Sequence, residues 1–178
     1  MASISRKNLS ITAQSPLFQD LNFVVQDGDR VGIVAGNGRG KTSLLRCIAG
    51  ERDPAEGEIV RWRGLRVGYV EQDVPADLGA LTMREAVLQA LPAADRDYEG
   101  WKADVALDGF ETPAEFRERP VSALSGGWQR LMLIARCWVS EPDALLLDEP
   151  THHLHLSTRS AERRVWTEGG WVCGVAVQ

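Results

Sequence analysis

Nothing constrains this chain more than residues 35–43, Ala35-Gly36-Asn37-Gly38-Arg39-Gly40-Lys41-Thr42-Ser43. A glycine-rich stretch ending in Gly-Lys-Thr follows a short apolar strand at 31–34. A helical pattern comes next, with Leu44, Leu45 and Ile48 on one face and Gly50 as its stop. Strand, glycine loop, Lys-Thr and helix, in that order, are what a phosphate-binding loop requires. Glycines let the backbone curl until several N–H groups converge on one anion, and the helix N-terminus adds its positive dipole end. Lys41 can reach the β- and γ-phosphates of a nucleotide, and the Thr42 hydroxyl can ligate Mg2+. Ala35 stands where the pattern has glycine; alanine is the mildest replacement, and Gly36 and Gly38 keep unusual dihedrals available. An ordinary glycine-rich turn is the plainer reading, but the Lys-Thr pair and both flanking elements favour phosphate.

The chain has 178 residues, enough for one domain with a core, and 44% apolar with 25% charged residues is ordinary for a globular protein. A net charge of -5 argues against broad attraction to nucleic acid or anionic membranes. No apolar run approaches the length of a membrane span, and residues 1–10 lack the apolar core of a signal peptide. Cys47, Cys137 and Cys173 are odd in number and far apart, which suits buried thiols in a reducing cytosol. The expectation is a cytoplasmic protein with no direct membrane insertion.

Residues 3–11 and 18–25 read as strands, with Leu21, Phe23 and Val25 alternating with polar neighbours. Two more short strands follow the phosphate-loop helix at 58–62 and 66–70, joined by Arg63-Gly64-Leu65. Arg61, Arg63 and Arg66 read as a solvated strand face, with a contact patch as the alternative. Residues 82–91 are amphipathic; Thr82 and Glu85 fit a capping box. Residues 92–121 are acidic and helical in pattern, interrupted by Pro92, Gly100, Pro113 and Pro120.

Leu124-Ser125-Gly126-Gly127 opens a strong helix with Leu131, Ile134, Ala135, Trp138 and Val139 on one face and Pro142 beyond its end. Exposed N–H groups at a Ser-Gly-Gly helix start suit an anion, although a simple N-cap would read the same. Residues 144–147, Ala-Leu-Leu-Leu, form a continuous apolar run, as a buried parallel strand requires. It ends in Asp148-Glu149-Pro150-Thr151. Two carboxylates there divide the labour: Asp148 can hold Mg2+, and Glu149 can polarise an attacking water.

The ordered set AGNGRGKTS, VGYVEQD, LSGGWQR and ALLLDEPTHHLHL resembles the ATP-binding cassette (ABC) family, from near the N-terminus to about Leu156. Trp128 after LSGG, the DEPTHHLHL run and the short spacing from Gln72 to the signature are most similar to the ABC-F group. These are tandem-cassette ATPases, many of which act on the ribosome. The resemblance implies an α/β fold: a P-loop NTPase core with an antiparallel β subdomain and a small helical subdomain. It implies boundaries of 1–72 for the β subdomain and phosphate loop, 73–121 for the helical subdomain and 122–156 for the signature helix with the Mg2+ and catalytic strand. It also implies roles. Residues 35–43 bind ATP. Gln72 senses Mg2+ and the γ-phosphate. Leu124, Ser125, Gly126 and Gly127 cover ATP bound on a partner cassette. Asp148 is the Mg2+-side aspartate and Glu149 the catalytic glutamate. ATP and Mg2+ are the implied cofactors. A second cassette, as homodimer or heterodimer, is the implied partner, with the ribosome a further partner by group resemblance. A transporter nucleotide-binding subunit and a non-hydrolysing nucleotide-binding module remain alternatives.

The sequence also departs from the family. Residues 11–14 offer no aromatic ring to stack on adenine; Phe18 is the nearest substitute. His152 and His155 replace the usual Asn and Asp, and the spacing of His152, His153 and His155 matches no standard zinc pattern. No switch histidine follows His155, and residues 157–178 form a divergent tail. The expectation is an incomplete cassette whose apolar strand edge beyond 144–147 is open, with low solubility or dependence on a partner. The run Val172–Val177 is the one candidate to fill the missing strand.

Overall fold

The computed structural model describes residues 4–13, 15–21, 24–25, 29–33, 38–61, 63–148 and 171–174. These residues divide into two compact units. The first takes described residues up to 69 together with 142–148 and 171–174; the second takes Val70–Glu141.

The first unit contains two sheets. Strand β1 (Ile4–Ala13) pairs antiparallel with β2 (Ser15–Leu21), β3 (Val24–Val25) and β5 (Glu56–Arg61). The second sheet runs β4 (Arg30–Gly32), β8 (Trp171–Gly174), β7 (Ala144–Leu147), β6 (Val67–Val70). The two strands expected around residues 63–65 are therefore present but belong to different sheets. Gly64, at φ 86°, makes the turn between them, a backbone that a side chain would strain.

β8 lies parallel to both β4 and β7, pairing Gly32 with Gly174 and Gly174 with Leu147. This corrects the expectation of an open edge beside 144–147. The tail supplies the strand that covers β7 and bridges it to β4. The alternation rule could not reveal this, because parallel pairing joins segments far apart in sequence.

Helix α1 (Lys41–Ala49) packs on these strands. Leu44, Leu45, Cys47 and Ile48 are buried together with Val25, Ala144 and Leu146. Each large aliphatic side chain removed from water there stabilises the fold by about 1.5–3 kcal/mol. Gly50 ends α1 at φ 89° and returns its N–H to the Arg46 and Cys47 carbonyls. Arg61 completes this cap: its guanidinium donates to the Ile48 carbonyl at 2.8 Å and the Cys47 carbonyl at 2.7 Å. Arg66 bonds Asp143 through its backbone N–H at 2.8 Å. Arg61 is therefore more than a solvated strand residue, whereas the Arg66 side chain is exposed, as the solvated-face reading has it.

The second unit is helical. It holds α2 (Met83–Leu88), α3 (Arg96–Glu99), α4 (Trp101–Gly109), α5 (Ala114–Arg117) and α6 (Gly126–Trp138). Both bonds of the Thr82/Glu85 capping box are present at the start of α2. Gly100 separates α3 from α4, as the sequence suggested, although its own φ −54° and ψ −27° stay in the helical region. Arg130, Leu131, Met132, Leu133, Ile134 and Ala135 are all buried. α6 is thus apolar on all sides for more than a turn, not on one face alone. The compact units also place α6 with the helical region, whereas the sequence grouped it with strand 144–147.

Candidate nucleotide site

The phosphate loop leaves β4 and enters α1. Ala35, Gly36 and Asn37 lie outside the described residues. Gly38 and Gly40 adopt φ 71° and 83°, the left-handed region that the sequence assigned to glycine here. Arg39 is exposed, and Thr42 and Ser43 are partly buried in the first helical turn. Lys41 is the first residue of α1 and is 4% exposed. Gly40 offers no side-chain cap, and the first turn carries no acidic residue. The positive end of the helix therefore has no side-chain cap from Gly40, and such an end suits an anion.

Asp148 follows directly on β7 and is fully buried. Register puts it at the same end of the sheet as the phosphate loop. Leu147 is level with Gly174, and Gly174 with Gly32, in parallel strands, so the C-terminal ends of β7 and β4 coincide. Ligands of open parallel sheets gather at that end. Glu149 and His152, His153 and His155 lie outside the described residues.

Tyr69, on β6, donates its hydroxyl to Asp148 Oδ2 at 3.1 Å. Burial, then the Asp148 charge, pushes its phenol well above the usual tyrosine range, so it stays a donor. Sequence reasoning passed over Tyr69. Its only signal was a polar-tipped aromatic three residues before Gln72.

Gln72 and the signature belong to the second unit. Gln72 is exposed just past β6. Leu124 and Gly127 are buried; Ser125 and Gly126 are exposed. Ser125 occupies the N-cap position of α6 in an extended conformation but makes no side-chain capping bond, which weakens the simple N-cap alternative. Trp128 stacks on Phe116 with ring centroids 4.6 Å apart, and Arg119 covers Phe116 at 4.9 Å. Arg130, buried in α6, donates to the Glu71 carbonyl, next to Gln72. The signature helix and the start of the Gln72 loop are tied by that bond, which no motif announced.

Among the described residues no group of three or more His, Cys, Asp or Glu is placed to hold a metal ion. At this end of the sheet Asp148 offers a buried carboxylate, and Thr42, in the first turn of α1, offers a hydroxyl. That set suits Mg2+, which keeps waters and takes the rest of its shell from phosphate oxygens.

A buried lysine at a helix start and a buried aspartate at the same end of a parallel sheet define a phosphate-loop nucleoside-triphosphatase fold. Comparison with known proteins agrees. The family profile described as ABC transporter matches residues 18–152. The ABC transporter ATP-binding protein YfmM of Bacillus subtilis is 33% identical over 91% of this chain and 30% of its own length. ABC transporter F family member 4 of Arabidopsis thaliana is 39% identical over 75% of this chain and 19% of its own. The zinc import ATP-binding protein ZnuC of Cereibacter sphaeroides is 33% identical over 99% of this chain and 71% of its own. The chain thus spans less than a third of YfmM and of the F family member.

Among solved structures, an inward-facing ABC transporter of the metal-chelate type is similar at TM-score 0.81 and 27% identity, over 99% of this chain and 73% of that one. An ATP-binding cassette solved as a dimer with ADP and Pi is similar at TM-score 0.76 and 22% identity, over 98% of this chain and 87% of that one, a likeness of fold. The chain belongs to the ABC transporter family and is an ATP-binding cassette of it. Cassettes of this family are ATPases. No described helix is long and apolar enough to cross a membrane.

Proposed function

We propose that this cassette binds ATP with Mg2+ and hydrolyses it when paired with a second cassette, as a member of the ABC-F group. The observation that carries the catalytic part is the shared sheet end, with Lys41 opening α1 and Asp148 closing β7. Backbone N–H groups of residues 35–43 and the Lys41 ammonium hold the phosphates. Thr42 and Asp148 would hold Mg2+. When bound, Mg2+ neutralises phosphate charge. Glu149 accepts a proton from a water whose oxygen attacks the γ-phosphorus. The bond from that phosphorus to the bridging oxygen breaks, leaving ADP and inorganic phosphate. Leu124, Ser125, Gly126 and Gly127 act in trans on the partner's nucleotide.

Trp128 in the signature, the DEPTHHLHL run and the similarity to F family member 4 support the F group. A second reading, the nucleotide-binding subunit of a membrane transporter, is favoured by ZnuC, which the chain covers over 71% of that protein's length. Co-sedimentation with ribosomes supports the first; copurification with an integral membrane protein supports the second. The catalytic core is tested by calorimetric ATP·Mg2+ binding with Lys41→Ala as control, and by turnover with Glu149→Gln. Binding that survives Lys41→Ala, or turnover that survives Glu149→Gln, overturns these assignments.

A further inference from the structure

Tyr69, on β6, donates its hydroxyl to Asp148 Oδ2 at 3.1 Å, just past the end of β7. Asp148 is fully buried, so this phenol partners the proposed Mg2+-side carboxylate away from bulk water.

We propose that Tyr69 is a positioning residue for the Mg2+-side carboxylate, holding Asp148 in one orientation through its hydroxyl. The inference rests on the reading of Asp148 given above.

The direction of the bond follows from donor counting: a carboxylate only accepts, so the one phenol proton goes to Asp148. Tyr69 is also anchored by its ring, which packs against the core that α1 shares with β7. A carboxylate held this way pays little reorganisation when a cation arrives, and partners of this kind are typically worth 10–100-fold in metal affinity.

Tyr69→Phe keeps the ring and removes the hydroxyl. The experiment titrates Mg2+, and Mn2+ as a spectroscopic substitute, into the full chain saturated with a non-hydrolysable ATP analogue. Binding of the analogue without metal is measured in parallel. The expected result is unchanged metal-free analogue binding and metal affinity weaker by about tenfold. Tyr69→Met also lacks the hydroxyl; it is expected to weaken metal affinity in the same way and carries the test if Tyr69→Phe does not fold. In an Asp148→Asn background the effect of Tyr69→Phe disappears. Unchanged metal affinity in both variants overturns the proposal, as does an equal loss of metal-free analogue binding, which would make Tyr69 a packing residue. A native chain that takes up no nucleotide overturns the ATP-binding reading itself, visible before any variant is made.

Discussion

The two compact units are built by different means. In the first, a helix of nine residues buries one apolar face on parallel strands, glycines shape both of its ends, and a single arginine, Arg61, joins the C-terminal cap. In the second, the helices before α6 run four to nine residues each, and arginines serve their ends. Arg96 donates to the Leu91 and Gln89 carbonyls, Arg117 to the Thr112 carbonyl and Asp108, and Arg136 to the Ala86 carbonyl. Short helices have proportionally more orphan carbonyls, and a guanidinium can satisfy two at once. The difference teaches that charge in the acidic 92–121 region is largely structural mortar, while the charge that bears on nucleotide sits in the first unit.

The comparison breaks first on nucleotide affinity. Lys41→Ala removes ATP binding from the isolated chain, whereas Ser125→Arg leaves that binding intact and abolishes turnover of the pair; calorimetry and phosphate release read the two effects. Equal loss of binding in both variants would erase the proposed division between units.

Stability sharpens it next. Leu45→Ala opens a cavity in the core beneath α1 and costs about 2–5 kcal/mol in urea denaturation. Arg130→Met strands the Glu71 carbonyl and costs about 1–3 kcal/mol. A negligible effect of Arg130→Met would mean that water replaces the guanidinium.

The smallest expected effect concerns the Arg84–Asp104 pair, bidentate with both distances 2.7 Å. Both side chains are more than a third exposed, so Arg84→Ala costs at most about 1 kcal/mol. The Arg84 hydrogen bond holds Asp104 below its usual carboxylate range. The unfolded chain therefore binds the proton more readily, and the pair's contribution is present above the ordinary aspartate range and lost as pH falls through the folded value. The gap between native and Arg84→Ala melting temperatures should hold from pH 7 down to the ordinary aspartate range and close as pH drops through the folded value below it.

The sequence made the phosphate loop legible because its chemistry is local: glycines, Lys41 and Thr42 are consecutive, and their helix begins where its pattern does. The Thr82 cap and the β7 run were legible for the same reason. Trp171–Gly174 as a strand between β4 and β7 was only a possibility, since nothing local names a parallel partner more than a hundred residues away. Tyr69 looked like one more strand aromatic. Arg61 looked solvated, because a side chain that caps a helix 13 residues earlier leaves no periodic trace.

What the sequence determined by itself, then, was the set of elements that short-range rules encode, together with the residues that can handle a phosphate. The tertiary structure decided which strands are neighbours, which buried face of α6 is covered, and which phenol meets Asp148. Those depend on pairing between distant segments, where burial and hydrogen bonding are satisfied only once the chain has closed on itself.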